Sequence, residues 1–278
     1  MSMKDETLAT ERLSSEQLSW IDSHAHLDFD RFDDDRVDVI ERAQARGVTK
    51  VISIGTRIES TKKAIALAES YPNFIYASAG FHPLYMGDDH EEGWRQLEDL
   101  LSDPRVVGVG ETGLDYYYDS TPPQQQRDSF RRHLQLSRRF NKPVIIHIRD
   151  AFDDAFRIID EEGLGAGGVV HCFTGGPEEC QAALDRGLYI SLSGIVTFKS
   201  AKGLRAATPL IPDDRLLIET DSPFLAPTPH RGARNEPSFV VDTAMCVAAL
   251  RGQSLERLSQ LTIQNTTNLF SLTPPEVL

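Results

Sequence analysis

The chain has 278 residues, 40% hydrophobic and 26% charged, which is typical of a globular protein with a substantial core. Its formal net charge is −13 at pH 7, from 29 Lys and Arg against 42 Asp and Glu, which argues against loose, charge-driven coating of nucleic acid. An acidic chain can still act on a phosphodiester where bound metal supplies positive charge. No apolar run is long enough to span a membrane, so we expect no membrane partner.

Cysteine usage and the first residues indicate the compartment. Cys172, Cys180 and Cys246 are odd in number and lack Cys-x-x-Cys spacing, which argues against a disulfide framework and predicts a reducing, cytoplasmic setting. Residues 1–19 lack the apolar core of a secretory signal. We interpret them as a mobile tail or a short extra helix before the domain.

Short β-branched runs alternate with longer segments of helical spacing along the whole chain. The predicted strands cover residues 20–23, 50–54, 74–79, 106–110, 144–146, 168–170, 188–192 and 215–218. A helix is predicted after each strand, with start signals at Asp34, Ser60, Thr121-Pro122 and Pro177. Residues 238–250 and 255–269 are predicted as the last two helices.

Eight strands that each precede a helix predict an α/β protein with a parallel sheet closed into a (β/α)₈ TIM barrel, as a single domain. We expect the barrel to cover residues 20–272, followed by a C-terminal tail at 273–278. The alternative is an open, doubly wound sheet. It is disfavoured because no glycine-rich phosphate fingerprint follows the first strand.

Histidines and carboxylates stand at or just past the carboxyl ends of the predicted strands. In chain order they are His24, His26, His82, Glu111, His147, His171 and Asp221. In a parallel barrel these strand ends share one face, where the active sites of this fold lie. Taken singly, each residue is better explained as a core or turn residue, but the joint pattern favours a metal site.

The residue types suit two divalent cations. Without His82, the four histidines and two carboxylates are still too many for one tetrahedral ion, and two ions can hold both the attacking and the leaving oxygen of a displacement. Glu111, between two groups of ligands, can bridge the ions. Asp221 can ligate one ion or accept the proton of the attacking water. Imidazoles admit zinc, whereas carboxylates and phosphate substrates admit magnesium or manganese.

Other polar residues near the strand ends have less determined roles. His82 can position phosphate, donate a proton or only brace its loop. Four residues after strands five, seven and eight are candidate substrate contacts or ordinary surface groups: Arg149, Lys199, His230 and Arg231. Residues 116–118, three consecutive tyrosines, can stack on bases or cover the barrel. His90 and His133 are predicted to lie at helix or loop surfaces without a role.

Seven segments, taken together, resemble the motifs of TatD-type metal-dependent deoxyribonucleases. They are residues 21–28, 110–116, 142–147, 171–175, 193–198, 219–223 and 229–232, in the order of that family. The resemblance extends from about residue 21 to residue 270. It implies an amidohydrolase-like barrel with a divalent metal pair, hydrolysis of DNA phosphodiesters from the 3′ end, and a part in DNA repair or degradation.

The resemblance also implies roles for individual residues. His24, His26, Glu111 and Asp221 would hold one ion, and Glu111, His147 and His171 the other. Asp221 would serve as the base, with His82 beside the scissile phosphate. Many relatives in the wider superfamily use a carboxylated lysine as the bridge after strand four, and the glutamate found here favours the nuclease branch.

Two further hypotheses remain open at the level of sequence. The acidic net charge also suits a hydrolase of a small ester, amide or phosphoester. A barrel that uses its mouth only to bind a partner is the third possibility, which an intact set of metal ligands disfavours. Single-stranded DNA or DNA 3′ ends are the expected substrate. No stable protein partner is inferred, and a monomer is favoured over an oligomer.

Overall fold

The computed structural model describes residues 18–273. The predicted tail at 1–19 and the predicted tail at 273–278 therefore lie almost entirely outside the described residues. The domain bounds at 20–272 stay a prediction.

Eight parallel strands form one sheet in which each strand pairs with its neighbours in chain order. The strands are β1 (Trp20–Ala25), β2 (Val48–Ser53), β3 (Ile75–Ala79), β4 (Val106–Asp115), β5 (Val144–Arg149), β6 (Gly168–Val170), β7 (Tyr189–Leu192) and β8 (Leu216–Ile218). An order without reversal is that of a barrel, whereas a doubly wound sheet reverses at a switch point.

The first and last strands meet at a seam that closes the barrel. The N–H of His26 donates to the carbonyl of Ser222 at 2.7 Å, and the N–H of Asp221 donates to the carbonyl of His24 at 2.9 Å. Below them, the Ser23 hydroxyl donates to the Ile218 carbonyl at 3.0 Å. The predicted single-domain (β/α)₈ barrel is confirmed.

Nine α-helices lie between and after the strands of residues 18–273. They are α1 (Arg36–Ala45), α2 (Ile58–Ser70), α3 (Glu91–Leu101), α4 (Pro123–Phe140), α5 (Phe152–Glu162), α6 (Pro177–Asp185), α7 (Lys202–Ala207), α8 (Val240–Arg251) and α9 (Leu255–Phe270). None of them combines the length and the apolar character needed to cross a bilayer.

Three of the four predicted helix starts are displaced. The helix predicted to open at Ser60 begins two residues earlier, with Ile58 as the first residue of α2. The predicted cap at Asp34 is wrong: α1 begins at Arg36, after Asp35. The Asp35 carboxylate makes no cap bond, because it binds the Arg234 guanidinium at 2.6 Å. Similarly, α4 begins one residue later than the Thr121-Pro122 pattern predicts, with Pro123 as its first residue.

The apolar core fills the space inside the barrel as well as the space under the helices. Ile21, Ile52, Ile145, Val169 and Leu217 come from strands on opposite sides of the barrel, yet they belong to one buried cluster. Such strands can share contacts only across the barrel interior. The same cluster includes residues at the end of α9, so this helix closes one end of the barrel.

Strands β1, β4 and β5 extend further than predicted, which places four candidate site residues inside strands rather than after them: His24, Glu111, His147 and Arg149. The pairing of β4 with β5 continues to Asp115 opposite Arg149, after a shift in register between Val109 and Thr112. Glu111 lies within this shift. The preceding Gly110 has a φ of 138°, and a Cβ there would lie 2.5 Å from the Ile145 carbonyl oxygen, so only glycine fits.

His133 is not a surface residue, contrary to the prediction from sequence. Its side chain on α4 is fully buried, because the imidazole joins the helix to the loop after β3. Nε2 accepts the N–H of Phe81 at 2.9 Å, and Nδ1 donates to the Ser129 carbonyl at 2.8 Å. His133 therefore fixes the backbone directly before His82.

We expect His133 to make stability depend on pH. Burial lowers the pKa of His133 to about 4, below the value of about 6.5 in an unfolded chain. The unfolded chain binds the proton more readily, so the stability contributed by the neutral imidazole is complete above pH 6.5 and is lost as pH falls towards 4. His133→Gln keeps an acceptor for the Phe81 N–H but cannot titrate.

Urea unfolding at pH 7.5 and at pH 5 measures this effect. Between these pH values the wild type should lose about 2 kcal/mol more unfolding free energy than His133→Gln. An equal loss in the two proteins would show that His133 has no such role.

Candidate metal centre

The Glu111 carboxylate lies at the centre of the predicted site, and its two oxygens face different histidines. Oε2 is 3.4 Å from His24 Nε2 and 3.7 Å from His26 Nε2. Asp221 completes this side, with its Oδ1 3.7 Å from His24 Nε2 and 3.4 Å from His26 Nε2. His24, His26 and Asp221 could together hold a metal ion, and Glu111 Oε2 faces the same two histidines.

The other oxygen of Glu111 faces three further histidines. Oε1 is 2.8 Å from His171 Nε2, 3.1 Å from His147 Nδ1 and 3.3 Å from His82 Nε2. All of the predicted metal ligands and catalytic residues thus meet around one carboxylate, although they come from six different strands or the loops after them. The arrangement can hold divalent cations on either side of Glu111.

The site residues fit a metal because several of their buried atoms have no hydrogen-bond partner among the described residues. These atoms are His24 Nδ1 and Nε2, His26 Nδ1 and Glu111 Oε2. Burying such atoms without partners costs free energy. An imidazole lone pair and a carboxylate oxygen are ordinary ligand atoms for a divalent cation, which would satisfy them.

Two buried carboxylates outside the predicted set orient the histidines. Asp115 Oδ2 lies 3.0 Å from His147 Nε2, and Glu219 Oε1 lies 3.3 Å from His171 Nδ1. An ionised carboxylate only accepts, so these ring nitrogens carry the protons and the opposite nitrogens face Glu111. Glu219 also accepts the N–H of Cys172 at 2.7 Å, which holds it in place.

A third buried carboxylate, Asp22, ties the two ends of the seam together. It accepts the Thr220 N–H at 2.9 Å and the Thr220 hydroxyl at 2.6 Å. It also accepts the N–H of His24 at 3.3 Å, and burial raises the pKa of Asp22 to about 8. These bonds hold the segment that carries His24 and His26 against the segment that carries Asp221.

The charges around Glu111 and Asp221 favour the ionised form of these two carboxylates at neutral pH. Burial acts to raise the pKa of Glu111, but His171, His82 and His147 outweigh it and hold this pKa well below its usual value. Burial likewise acts to raise the pKa of Asp221, and the hydrogen bond from His26 outweighs it. Both carboxylates are therefore available to bind a cation or accept a proton.

His82 is neutral with a defined proton position. Burial lowers the pKa of His82 below its usual value. Its Nδ1 accepts the Leu84 N–H at 3.0 Å, so the proton resides on Nε2, the nitrogen that faces Glu111. The side chain can donate a hydrogen bond to an oxygen that enters the site.

In the described part of the chain, several arginines at the mouth of the barrel lack the carboxylate partner that most other arginines have. Most arginines of residues 18–273 lie within 4 Å of a carboxylate, but a few have no such partner within that part of the chain. The exceptions are Arg31, Arg57, Arg149, Arg205 and Arg231. Arg149 is the last residue of β5, and the other four come after β1, β2, β7 or β8 in the chain, on the side where the metal candidates lie.

Aromatic rings support several of these unpaired guanidinium groups. Arg149 lies 3.8 Å from the centre of the Tyr117 ring, and Arg231 lies 3.7 Å from that of Phe198. Tyr117 and Tyr118 are 58% and 50% exposed. Such stacking leaves the N–H groups of an arginine free to bind an anion.

The remaining predicted substrate contacts differ in their surroundings. Lys199 is exposed on a groove after β7, together with Arg205. The His230 ring instead stacks on Phe239 at 3.9 Å, and its Nε2 lies 3.6 Å from Asp242 Oδ2. His230 therefore contacts α8 and the turn before it rather than the residues around Glu111.

Comparisons with known proteins agree with this architecture. The model of the family described as TatD related DNase matches residues 21–271. The chain is 43% identical over 256 residues to the uncharacterized metal-dependent hydrolase YcfH of Escherichia coli K12, covering 91% of this chain and 96% of YcfH. It is 37% identical over 259 residues to a protein of Edwardsiella piscicida named 3′-5′ ssDNA/RNA exonuclease TatD, covering 91% and 99% of the two chains.

A solved structure supports the same assignment. The crystal structure of YJJV, a TatD homologue from Escherichia coli K12, superposes with a TM-score of 0.87 at 30% identity, covering 91% of this chain and 98% of that chain. The fold and the site therefore define a metal-dependent hydrolase built on a (β/α)₈ barrel. More narrowly, the chain belongs to the family of TatD related DNases.

We expect divalent metal to stabilise the folded chain, because a ligand that binds only the folded state raises its stability by mass action. Protein stripped with a chelator and then given Zn²⁺ or Mn²⁺ at about 100 times the dissociation constant should gain about 2.7 kcal/mol, or roughly 5 °C in Tm. Glu111→Gln removes the central charge and should reduce this gain by more than half. Thermal unfolding with and without metal gives both values.

Glu178→Gln is the matched control, since Glu178 is exposed at the start of α6 and its substitution removes the same charge. It should keep the full metal-dependent gain. An undiminished gain in Glu111→Gln would contradict a metal centre around Glu111.

Proposed function

We propose that this protein is a metal-dependent nuclease that hydrolyses DNA phosphodiester bonds, acting as a 3′–5′ exodeoxyribonuclease. The observation that carries the proposal is the division of the histidines by Glu111, with His24 and His26 on Oε2 and His147 and His171 on Oε1. A carboxylate with ligands on both sides suits a pair of ions. Two-ion sites are common among enzymes that cleave phosphodiesters.

In this proposal the ligands divide into two sets that share Glu111. His24, His26, Glu111 and Asp221 would hold the first ion. Glu111, His147 and His171 would hold the second ion. When bound, the divalent pair, which is magnesium, manganese or zinc, supplies a water activated for attack at neutral pH and positive charge for the phosphate.

The side chains have separate tasks during hydrolysis. Asp221 is ionised at neutral pH and accepts the proton of the attacking water. The Nε2–H of His82 donates a hydrogen bond to an oxygen of the scissile phosphate. Asp115 and Glu219 hold His147 and His171 in orientation and do not contact the substrate.

The unpaired arginines supply the contacts to the rest of a nucleic-acid strand. Arg149 and Arg231 bind backbone phosphates, with Lys199 as a further cation on the same side. Tyr117 and Tyr118 offer exposed rings to bases. His230 supports this surface by holding its loop against Phe239.

A relative and the chain itself support the choice of substrate and setting. The Edwardsiella piscicida relative is named a 3′-5′ exonuclease of single-stranded DNA and RNA. We assign this chain to the cytoplasm, to DNA repair or degradation, and to action as a monomer. Three free cysteines agree with a reducing compartment, and one chain supplies every residue of the site.

The proposal predicts progressive cleavage of single-stranded DNA labelled at its 5′ end. With Mg²⁺ or Mn²⁺ the label should appear in a ladder that shortens from the 3′ side. EDTA should abolish the ladder, and Glu111→Ala should reduce the rate by about a hundredfold or more because both metal sites lose a ligand. Denaturing gels of timed samples measure this.

The same assay separates the proposal from its alternative. Arg149→Ala should raise KM for DNA roughly fivefold with little change in kcat, whereas Arg157→Ala, on the outer face of α5 and paired with Asp154, should leave KM unchanged. If DNA is inert with every metal while a small ester is hydrolysed, the chain is instead a small-molecule hydrolase.

A further inference from the structure

A pocket of about 290 Å³ opens beside the metal centre, between the loops that follow β1, β2 and β3. We call it the rim pocket and define it by Asp28, Phe29, Arg31, Arg57, Lys63 and Tyr85. Phe29 lies 4.9 Å from the His26 ring and Tyr85 lies 5.3 Å from the His82 ring, centre to centre. A molecule in this pocket would therefore touch residues next to the scissile bond.

Asp28 lines the rim pocket, and one oxygen of its carboxylate lacks a hydrogen-bond donor among the described residues. It is 4% exposed, and its buried Oδ1 has no hydrogen-bond partner among residues 18–273. An ionised carboxylate can only accept, so it requires a hydroxyl or an N–H from a ligand. It also repels a phosphate that would occupy the same spot.

The outer edge of the rim pocket has the opposite character. Arg31 and Arg57 are exposed and have no carboxylate within 4 Å in the described part of the chain. Lys63 adds a third positive charge, although it lies near Glu59 and near Asp30, an exposed carboxylate that also lines the pocket. The edge thus attracts an anion, while the buried Asp28 carboxylate favours a ligand that carries a hydrogen-bond donor.

The two sides of the metal centre also differ in enclosure. The exposed Tyr117 and Tyr118 follow closely after Asp115, whose Oδ1 accepts their backbone N–H groups. The other oxygen of Asp115 binds His147. That side is open enough for a continuing strand. The rim pocket is near the lower size limit of small-ligand sites and has room for a single nucleotide.

We propose that the rim pocket holds the 3′-terminal nucleotide, with Asp28 accepting a hydrogen bond from its free 3′-hydroxyl. This inference rests on the proposed nuclease function and adds the reason why cleavage begins at a 3′ end. A 3′-terminal nucleotide carries this hydroxyl whichever base it bears, so the selection is independent of base. A strand that ends in a 3′-phosphate is excluded, because the phosphate would face the buried carboxylate.

Isothermal titration of the metal-loaded full chain tests the proposal with two ligands. Thymidine 5′-monophosphate has a free 3′-hydroxyl, whereas thymidine 3′,5′-bisphosphate does not. Both carry thymine, which has no exocyclic amine that could donate to Asp28 in place of the hydroxyl. The wild type should bind the monophosphate at least about tenfold more tightly. Asp28→Asn, which supplies an amide N–H, should reduce this ratio to below about threefold.

Charge-matched variants locate the anion contacts. Arg57→Gln should weaken the binding of both ligands several-fold and leave the ratio of their affinities unchanged. Lys62→Gln removes the same charge from α2, but Lys62 binds Gln96 outside the rim pocket and its substitution should change neither affinity. Metal content and Tm of each variant identify any that has lost the site or the fold.

The wild-type result decides the proposal without any variant. Equal or tighter binding of the bisphosphate overturns it, as does an unchanged ratio in Asp28→Asn that retains its metal. A chain that selects the 3′-hydroxyl ligand yet cleaves no DNA would refute the nuclease and keep the pocket. A chain that degrades DNA with 3′-hydroxyl and 3′-phosphate ends at the same rate would keep the nuclease and refute the pocket.

Discussion

The structure depends on one buried carboxylate at the mouth of the barrel. Glu111 is 2% exposed, and its two oxygens face five histidines, of which two lie in β1 and β5 and three lie in the loops after β1, β3 and β6. A charge buried to this extent is stable only when opposite charge or hydrogen-bond donors surround it. The surrounding strand ends must therefore hold their histidines in place, and Asp115, Glu219 and Asp22 do so from behind.

Much of the fold and the site follows from the sequence, because alternating strands and helices allow few architectures and a barrel gathers its strand ends on one face. The ends of β4 and β5 could not be predicted, since their pairing continues through a register shift that depends on the partner strand. That error concealed Asp115, which lies four residues after Glu111 on the same strand. Glu219 stands two residues before Asp221, and side chains at this spacing on an extended chain point to the same side. This period of two could have identified Glu219 from the sequence. His133 was predicted at the surface because nothing local indicates that α4 covers the loop before His82.

Overall charge and local charge lead to different conclusions about the substrate. The chain carries a net charge of −13, but most of its arginines are neutralised by carboxylates on the outer helices. The unpaired arginines are found at the mouth, where Tyr85, Tyr117 and Phe198 lie beneath three of them. Arginines without a carboxylate partner are thus confined, among the described residues, to the face with the metal candidates. Under the proposed function, affinity for phosphate would therefore coincide with the site of cleavage rather than extend over the surface.

The central claim is that Glu111 bridges two metal ions, and electron paramagnetic resonance during a Mn²⁺ titration tests it most directly. Two Mn²⁺ ions that share a carboxylate are magnetically coupled and give a spectrum distinct from that of isolated ions. We predict this coupled spectrum at two equivalents for the wild type and its loss in Glu111→Gln. Saturation at one equivalent with only an isolated-ion spectrum would contradict the two-ion site and the mechanism built on it.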